Sequence, residues 1–186
     1  RMVFERLNTG GVKLTGQEIR NALYNGPGNE LCKELSESEL FRTLWDIPAS
    51  DIADNLYFDE LDFGFSAYTE KQIKKLQKHS LYKRMYDVEL VLRYFSMRHI
   101  DDFNYSLINF LDDNLIELNK CKEDELILLK SCFLNALKKG NELFGSNAFR
   151  FYKDDEWTTP ARLIYDPLMY VLSDDEIKID ASTKEQ

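Results

Sequence analysis

This sequence predicts an all-α fold, an irregular multi-helix bundle, on three observations. Only four prolines and eight glycines occur in 186 residues, and Gly10, Gly11, Gly16, Gly26 and Gly28 crowd the beginning, so long uninterrupted stretches remain for helices. Apolar residues recur at helical spacing through most of the chain. Hydrophobic residues make up 44% and aromatics 13%, enough to fill one core at this length and too much for disorder over most of it.

The opening block, Arg1 to Arg20, reads RMVFERLNTGGVKLTGQEIR, without an initiator Met, as expected of a piece cut from a longer protein. Val3, Phe4 and Leu7 stand three to four residues apart and predict a short amphipathic helix, which reverses where Asn8, Thr9, Gly10 and Gly11 allow a sharp turn. Thr15 and Glu18 have capping-box spacing, and Leu14 and Ile19 are placed as a hydrophobic staple, so a second helix starts at Gly16. It is expected to stop near Asn25, with Gly26 left-handed after it and Pro27 unable to continue the ladder.

Leu31, Leu35, Leu40, Phe41, Leu44 and Trp45 then predict one helix, broken near Ser36 with a restart at Ser36 to Glu39, and ended by Pro48. From 49 to 79, Asp51, Asp54, Asp59, Glu60 and Asp62 alternate with Ile52, Leu56, Tyr57, Phe58, Leu61, Phe63 and Phe65. The expected form is a loop-helix-loop excursion whose aromatics pack on the body, and it is a candidate partner surface. Lys71 to Lys78, with Lys83 and Arg84, is a basic stretch inside an acidic chain, read as a solvated helix face in preference to a nucleic-acid contact.

Ser80 to Met97 is the strongest predicted helix, with Leu81, Met85, Val88, Leu92 and Phe95 as its core stripe. Arg84 and Asp87 at i, i+3 and Glu89 and Arg93 at i, i+4 are within side-chain reach and form a candidate structural network. Two more helices carry Phe103, Leu107, Phe110, Leu111 and Leu118, then Leu126, Leu129, Phe133, Ala136 and Leu137. Gly140 and Gly145 interrupt the pattern before Ala148 to Tyr152, and Asp154, Asp155 and Glu156 read as an exposed turn. After Thr159-Pro160 a last helix runs to about Leu172, with Pro167 either kinking it or capping a new turn. The whole reads as one domain over 1–172 and a polar tail over 173–186.

The balance of 24 Lys and Arg against 33 Asp and Glu, a formal charge of −9, argues against non-specific binding to a phosphate backbone. The three cysteines, Cys32, Cys121 and Cys132, lack zinc-ligand spacing and read as buried free thiols in a reducing cytoplasm. No stretch approaches the ~20 apolar residues that span a bilayer, so no membrane partner is expected and the cytoplasm is the expected location.

Phe4-Glu5-Arg6-Leu7-Asn8-Thr9-Gly10-Gly11, followed by Leu14 and by Gln17-Glu18-Ile19-Arg20-Asn21, resembles a signature of the GmrSD-type restriction endonuclease N-terminal domain family. Lys83-Arg84-Met85-Tyr86-Asp87-Val88-Glu89-Leu90-Val91-Leu92-Arg93-Tyr94-Phe95 resembles, more loosely, the helix that follows in that family. The resemblance implies a larger α+β protein: a ParB/sulfiredoxin-like N-terminal region whose Asp-Gly-Gln-Gln-Arg motif handles nucleotide, then the helical region seen here. That motif occurs nowhere in the chain, and its two histidines, His79 and His99, do not form the His-Asn-His nuclease signature many members carry. Residues 49–79 depart from the family pattern as an insertion.

Under the resemblance, Arg6, Asn8, Thr9, Gly10, Gly11, Glu18 and Arg20 are candidates for nucleotide binding or for docking on the N-terminal region, the Gly-Gly turn offering backbone N–H groups to a phosphate. No cofactor is expected in the fragment; NTP with Mg is implied for the full-length protein, and DNA as a partner through that parent. The acidic pairs Asp101-Asp102, Asp112-Asp113 and Asp174-Asp175 read as solvated carboxylates rather than metal ligands. No nucleophile stands in a catalytic framework, so the fragment alone is expected to be inactive. Two functions follow: the helical portion of a prokaryotic DNA-defence (restriction) protein, completing or regulating an NTP-hydrolysing and nuclease module, or a non-enzymatic interaction module using 49–79. The first expects a motif-lined surface around Asn8 left open; the second expects it covered.

Overall fold

The computed structural model describes residues 13–48, 73–103 and 106–174. They are mostly helical, as the sequence predicts. Their helices are α1 (Gly16–Leu23), α2 (Pro27–Ser36), α3 (Glu39–Leu44), a helical segment over 73–78, α4 (Ser80–Lys83), α5 (Tyr86–Met97), α6 (Leu107–Leu118), α7 (Glu123–Phe144) and α8 (Arg162–Leu172). The predicted helix through Val3, Phe4 and Leu7 and the aromatic-acidic stretch from Asp51 to Phe65 lie outside the described residues. None of the described helices is long and apolar enough to cross a membrane.

Helix α1 starts as predicted, because the Thr15 hydroxyl accepts the Glu18 N–H at 3.1 Å and the Glu18 carboxylate accepts the Thr15 N–H at 2.6 Å. Its end differs. Gly26 is not a left-handed cap of α1 but the extended residue before α2 (φ 169°), with Pro27 in the first turn, where a missing N–H costs nothing. Gly26 is needed for space: a Cβ there would sit 2.7 Å from the Asn119 side chain. That amide accepts the Asn29 N–H at 3.0 Å and donates to the Tyr24 carbonyl at 2.9 Å. One side chain from the end of α6 thus satisfies the end of α1 and the start of α2.

The restart near Ser36 is observed, with Ser38 leading into α3. The single helix predicted for Ser80 to Met97 is not, because Met85 turns left-handed (φ 54°) and divides it into α4 and α5. The break releases the Arg84 carbonyl, which accepts the Thr15 hydroxyl at 3.1 Å. Asp87 compensates by accepting the Val88 N–H at 2.9 Å. A local ladder bond has been exchanged for a tertiary one, at a backbone cost on the order of 1–2 kcal/mol.

Gly140 does not interrupt α7 either, since the helix runs on to Phe144. A Cβ at Gly140 would lie 3.2 Å from Leu172, so the bare position lets the end of α8 close on α7. Gly145 (φ 58°) ends the helix. The exposed turn at Asp154-Asp155 joins a short antiparallel ribbon, β1 (Tyr152–Lys153) and β2 (Glu156–Trp157), and both aspartates have positive φ, as a type I′ turn requires. Pro167 lies inside α8.

Helix α5 is the spine, packed against α1, α2, α6 and α8, while α7 packs on α2, α3 and α8. Its Val88, Leu92 and Phe95 are core as predicted, with Leu90, Val91 and Tyr94 buried beside them. Phe41, Trp45, Phe133, Phe149 and Tyr165 complete an aromatic cluster in which Trp45 stacks on Phe149 at 5.5 Å and meets Tyr165 edge-on at 5.4 Å.

Candidate functional site

Arg20 is the most buried charged residue of α1, 1% exposed. Its Nε donates to Asp112 at 2.8 Å, Nη1 to Glu89 at 3.1 Å and to Gln17 at 3.3 Å, and Nη2 to the Ile108 carbonyl at 3.3 Å. One guanidinium therefore joins α1, α5 and α6. The second oxygen of Glu89 lies 3.9 Å from Arg162, which extends the junction to α8. Burying such ions is costly unless their donors and acceptors are used, and here four of the five Arg20 N–H groups are spent on two carboxylates, an amide and a carbonyl.

Above this junction Arg84 pairs with Glu18 at 3.2 Å and donates to the Lys13 carbonyl. Below it Arg93 grips Asp166 of α8 through both Nε and Nη2, and the neighbouring Tyr165 hydroxyl donates to the Leu90 carbonyl at 3.1 Å. The Asp166 hydrogen bond outweighs burial and raises the Arg93 pKa.

The pairs expected within one helix are thus replaced. Arg84 meets Glu18 rather than Asp87, and Glu89 meets Arg20 while Arg93 meets Asp166, because the turn at Met85 re-aims Arg84 and each partner lies 66 or more positions away in sequence. Asp112, expected to be solvated, is 6% exposed and part of the junction. Arg20 and Glu18, candidates for binding or docking, have side chains committed to this interior and to the helix cap. Arg6, Asn8, Thr9, Gly10 and Gly11 lie outside the described residues. Asp112, Arg162 and Asp166 had no local signal, since spacing rules see neighbours on one helix and not partners on another.

Arg42 of α3 is equally interior, 2% exposed, but differently served. Its Nε donates to the Ser36 carbonyl at 3.4 Å and Nη1 to the Pro48 carbonyl at 3.2 Å, while its carbon centre lies 5.7 Å over the Tyr82 ring. Nη2 is buried without a hydrogen-bond partner among the described residues, Glu37 lying 3.9 Å off. Beside it a recess of about 330 Å³ is lined by Lys33, Glu37, Tyr82 and Asp87. Burial pushes the Asp87 carboxyl up to about 6, against the opposing pull of the Val88 N–H and of Arg42.

Cys32 is buried as expected and burial pushes its thiol up; Cys121 and Cys132 are only half-buried. Among the described residues no group of three or more His, Cys, Asp or Glu could hold a metal ion. The chemistry in view is that of a joint: carboxylates and guanidiniums neutralise one another across four helices. Comparison with protein-family models, with curated proteins and with solved structures finds no match to this chain.

Proposed function

We propose that this chain is the helical portion of a GmrSD-type DNA-defence protein, completing an NTP-hydrolysing and nuclease module whose catalytic motif lies upstream. One observation supports this reading above the rest: the two stretches that carry the resemblance, 69 positions apart, are joined to each other by Thr15 on the Arg84 carbonyl and by Arg20 on Glu89. Residues that recur together as a signature have a physical reason to do so when they form one joint. In this reading Arg6 and Asn8 meet the nucleotide-handling region, and the joint holds the helix that follows them in sequence. The nucleotide and its Mg would be held upstream; the residues described here supply position rather than chemistry.

The test is made in the full-length parent. Arg6→Ala and Asn8→Ala are expected to reduce NTP hydrolysis and DNA cleavage together by at least tenfold while leaving the melting temperature of the helical part unchanged. If both variants hydrolyse and cleave at wild-type rates, the proposal fails.

A further inference from the structure

The ribbon of β1 and β2 leaves the body on a fixed base. The Thr158 N–H donates to the Phe151 carbonyl at 2.9 Å, and Arg150 donates to the Thr158 carbonyl at 2.9 Å while it binds Asp46, just after α3, at 2.6 Å. Beyond that base every residue from Phe151 to Trp157 is exposed. Tyr152 and Trp157 are cross-strand partners whose rings meet at 5.1 Å, yet they stay 60% and 50% exposed. The contact that holds the two rings in place therefore leaves an open aromatic face, of the kind that Tyr and Trp supply at interfaces with little conformational freedom to lose.

The tip adds charge to that face. A type I′ turn favours glycine at its second central position, and here Asp155 takes that place at φ 63°. Asp154 has Lys153 at 3.7 Å, whereas Asp155 has no ion pair among the described residues. The chain thus keeps an unpaired carboxylate two residues from an exposed indole, at a position where the backbone would be better served by a glycine.

We infer that the Tyr152–Trp157 face and Asp155 form a docking surface for an arginine-bearing basic segment of another protein. A guanidinium stacks flat on an aromatic ring and forks to a carboxylate, and the ribbon offers both groups side by side. Along the tip Asp154, Asp155 and Glu156 stand against Lys153 alone, so its excess of negative charge matches a cationic partner. The same excess repels a phosphate backbone, which sets these rings apart from a platform for stacked bases, where a positive groove accompanies the aromatics. Because the base of the ribbon is already fixed, little ordering remains to be done when the partner arrives. None of these residues takes part in the Arg20 junction, so this surface is independent of the function proposed above.

The test uses the whole chain, ¹⁵N-labelled, with the Trp157 indole N–H identified by its absence in Trp157→Phe. The probes are acetyl-Gly-Arg-Gly-Arg-Gly-amide and the same peptide with citrulline in place of arginine, which keeps the planar group and loses its charge. The Trp157 signal is expected to shift and saturate with the arginine peptide and not with the citrulline peptide. Asp155→Gly, which eases the turn and removes the carboxylate, is expected to weaken the apparent affinity about fivefold or more. Tyr152→Thr, which keeps a strand former and removes the ring, should weaken it about threefold. A Trp157 signal that ignores the arginine peptide, an equal response to the two peptides, or an affinity that Asp155→Gly leaves intact would overturn the assignment. So would saturation by an oligothymidylate, which would make the rings a base-stacking platform, or a Trp157 shift on raising the concentration of the chain alone, which would make the surface a contact between copies. Since Asp155→Gly favours the turn and the Thr158 amide signal reports that the ribbon is formed, unfolding of the ribbon cannot imitate the expected loss.

Discussion

Arg20 and Arg42 are both interior arginines of short helices, 1% and 2% exposed, yet the fold treats them in opposite ways. Around Arg20 two carboxylates and two neutral acceptors take up four of its donors. Around Arg42 the acceptors are backbone carbonyls, one nitrogen has no hydrogen bond among the described residues, and the nearby Asp87 carboxyl is driven toward its protonated form instead of pairing. A buried charge can thus be matched by assembling partners from distant helices, or left half-matched beside a carboxyl whose pKa burial has raised. The first solution fixes geometry and the second leaves it adjustable.

The largest expected effect tests that contrast directly. Arg20→Leu breaks the ion pairs to the largely buried carboxylates Glu89 and Asp112 and should cost about 3–5 kcal/mol in urea denaturation. Arg42→Leu strands only carbonyls, beside a carboxyl whose pKa burial has already raised, and should cost about 1–3 kcal/mol. Equal losses would mean that burial alone, not pairing, sets the difference between the two sites.

The next effect lies in pH. The Asp87 pKa is raised in the folded chain from 3.8 to about 6, so the folded state holds this proton more tightly than the unfolded state. The contribution of Asp87 is therefore complete below about pH 4 and is lost as pH rises through 6. Asp87→Asn removes that loss: relative to wild type it should gain stability on going from pH 4.5 to pH 7, on the order of 1–3 kcal/mol, as followed by denaturation at the two pH values. A pH-independent difference would show that Asp87 is ionised in the folded chain and that the Arg42 site is better matched than its geometry indicates.

How much of this was legible follows from how far each signal reaches. The cap at Thr15 and Glu18, the restart at Ser38 and the stripe of Val88, Leu92 and Phe95 are local patterns, and they appear where the sequence puts them. The ion pairs are not local. Glu89 stands four residues from Arg93, which satisfies the helix-surface rule, but both face inward, where Arg20 and Asp166 offer shorter routes to neutrality. The split at Met85 was hidden for the same reason. Its profit is a bond to Thr15, 69 positions before Arg84, and nothing in the run from Ser80 to Met97 announces it. Gly26 departs from its expected role because its lack of a side chain serves Asn119 rather than a left-handed turn.

The smallest effect concerns that bond. Thr15 does two things with one oxygen: it accepts the Glu18 N–H at 3.1 Å to cap α1, and it donates to the Arg84 carbonyl at 3.1 Å to hold the break before α5. Thr15→Ala removes both and should cost about 1–2 kcal/mol, the upper part of the range for a lost cap. Thr15→Ser keeps the hydroxyl and should recover most of the loss. The informative readout is hydrogen exchange at Tyr86 to Leu90. If the left-handed turn at Met85 is held by Thr15, exchange there speeds up in Thr15→Ala and not in Thr15→Ser, along with exchange in α1. If only α1 responds, the break in the helix is supported by the packing of α5 itself, and the Arg20 junction alone carries the coupling between the two stretches.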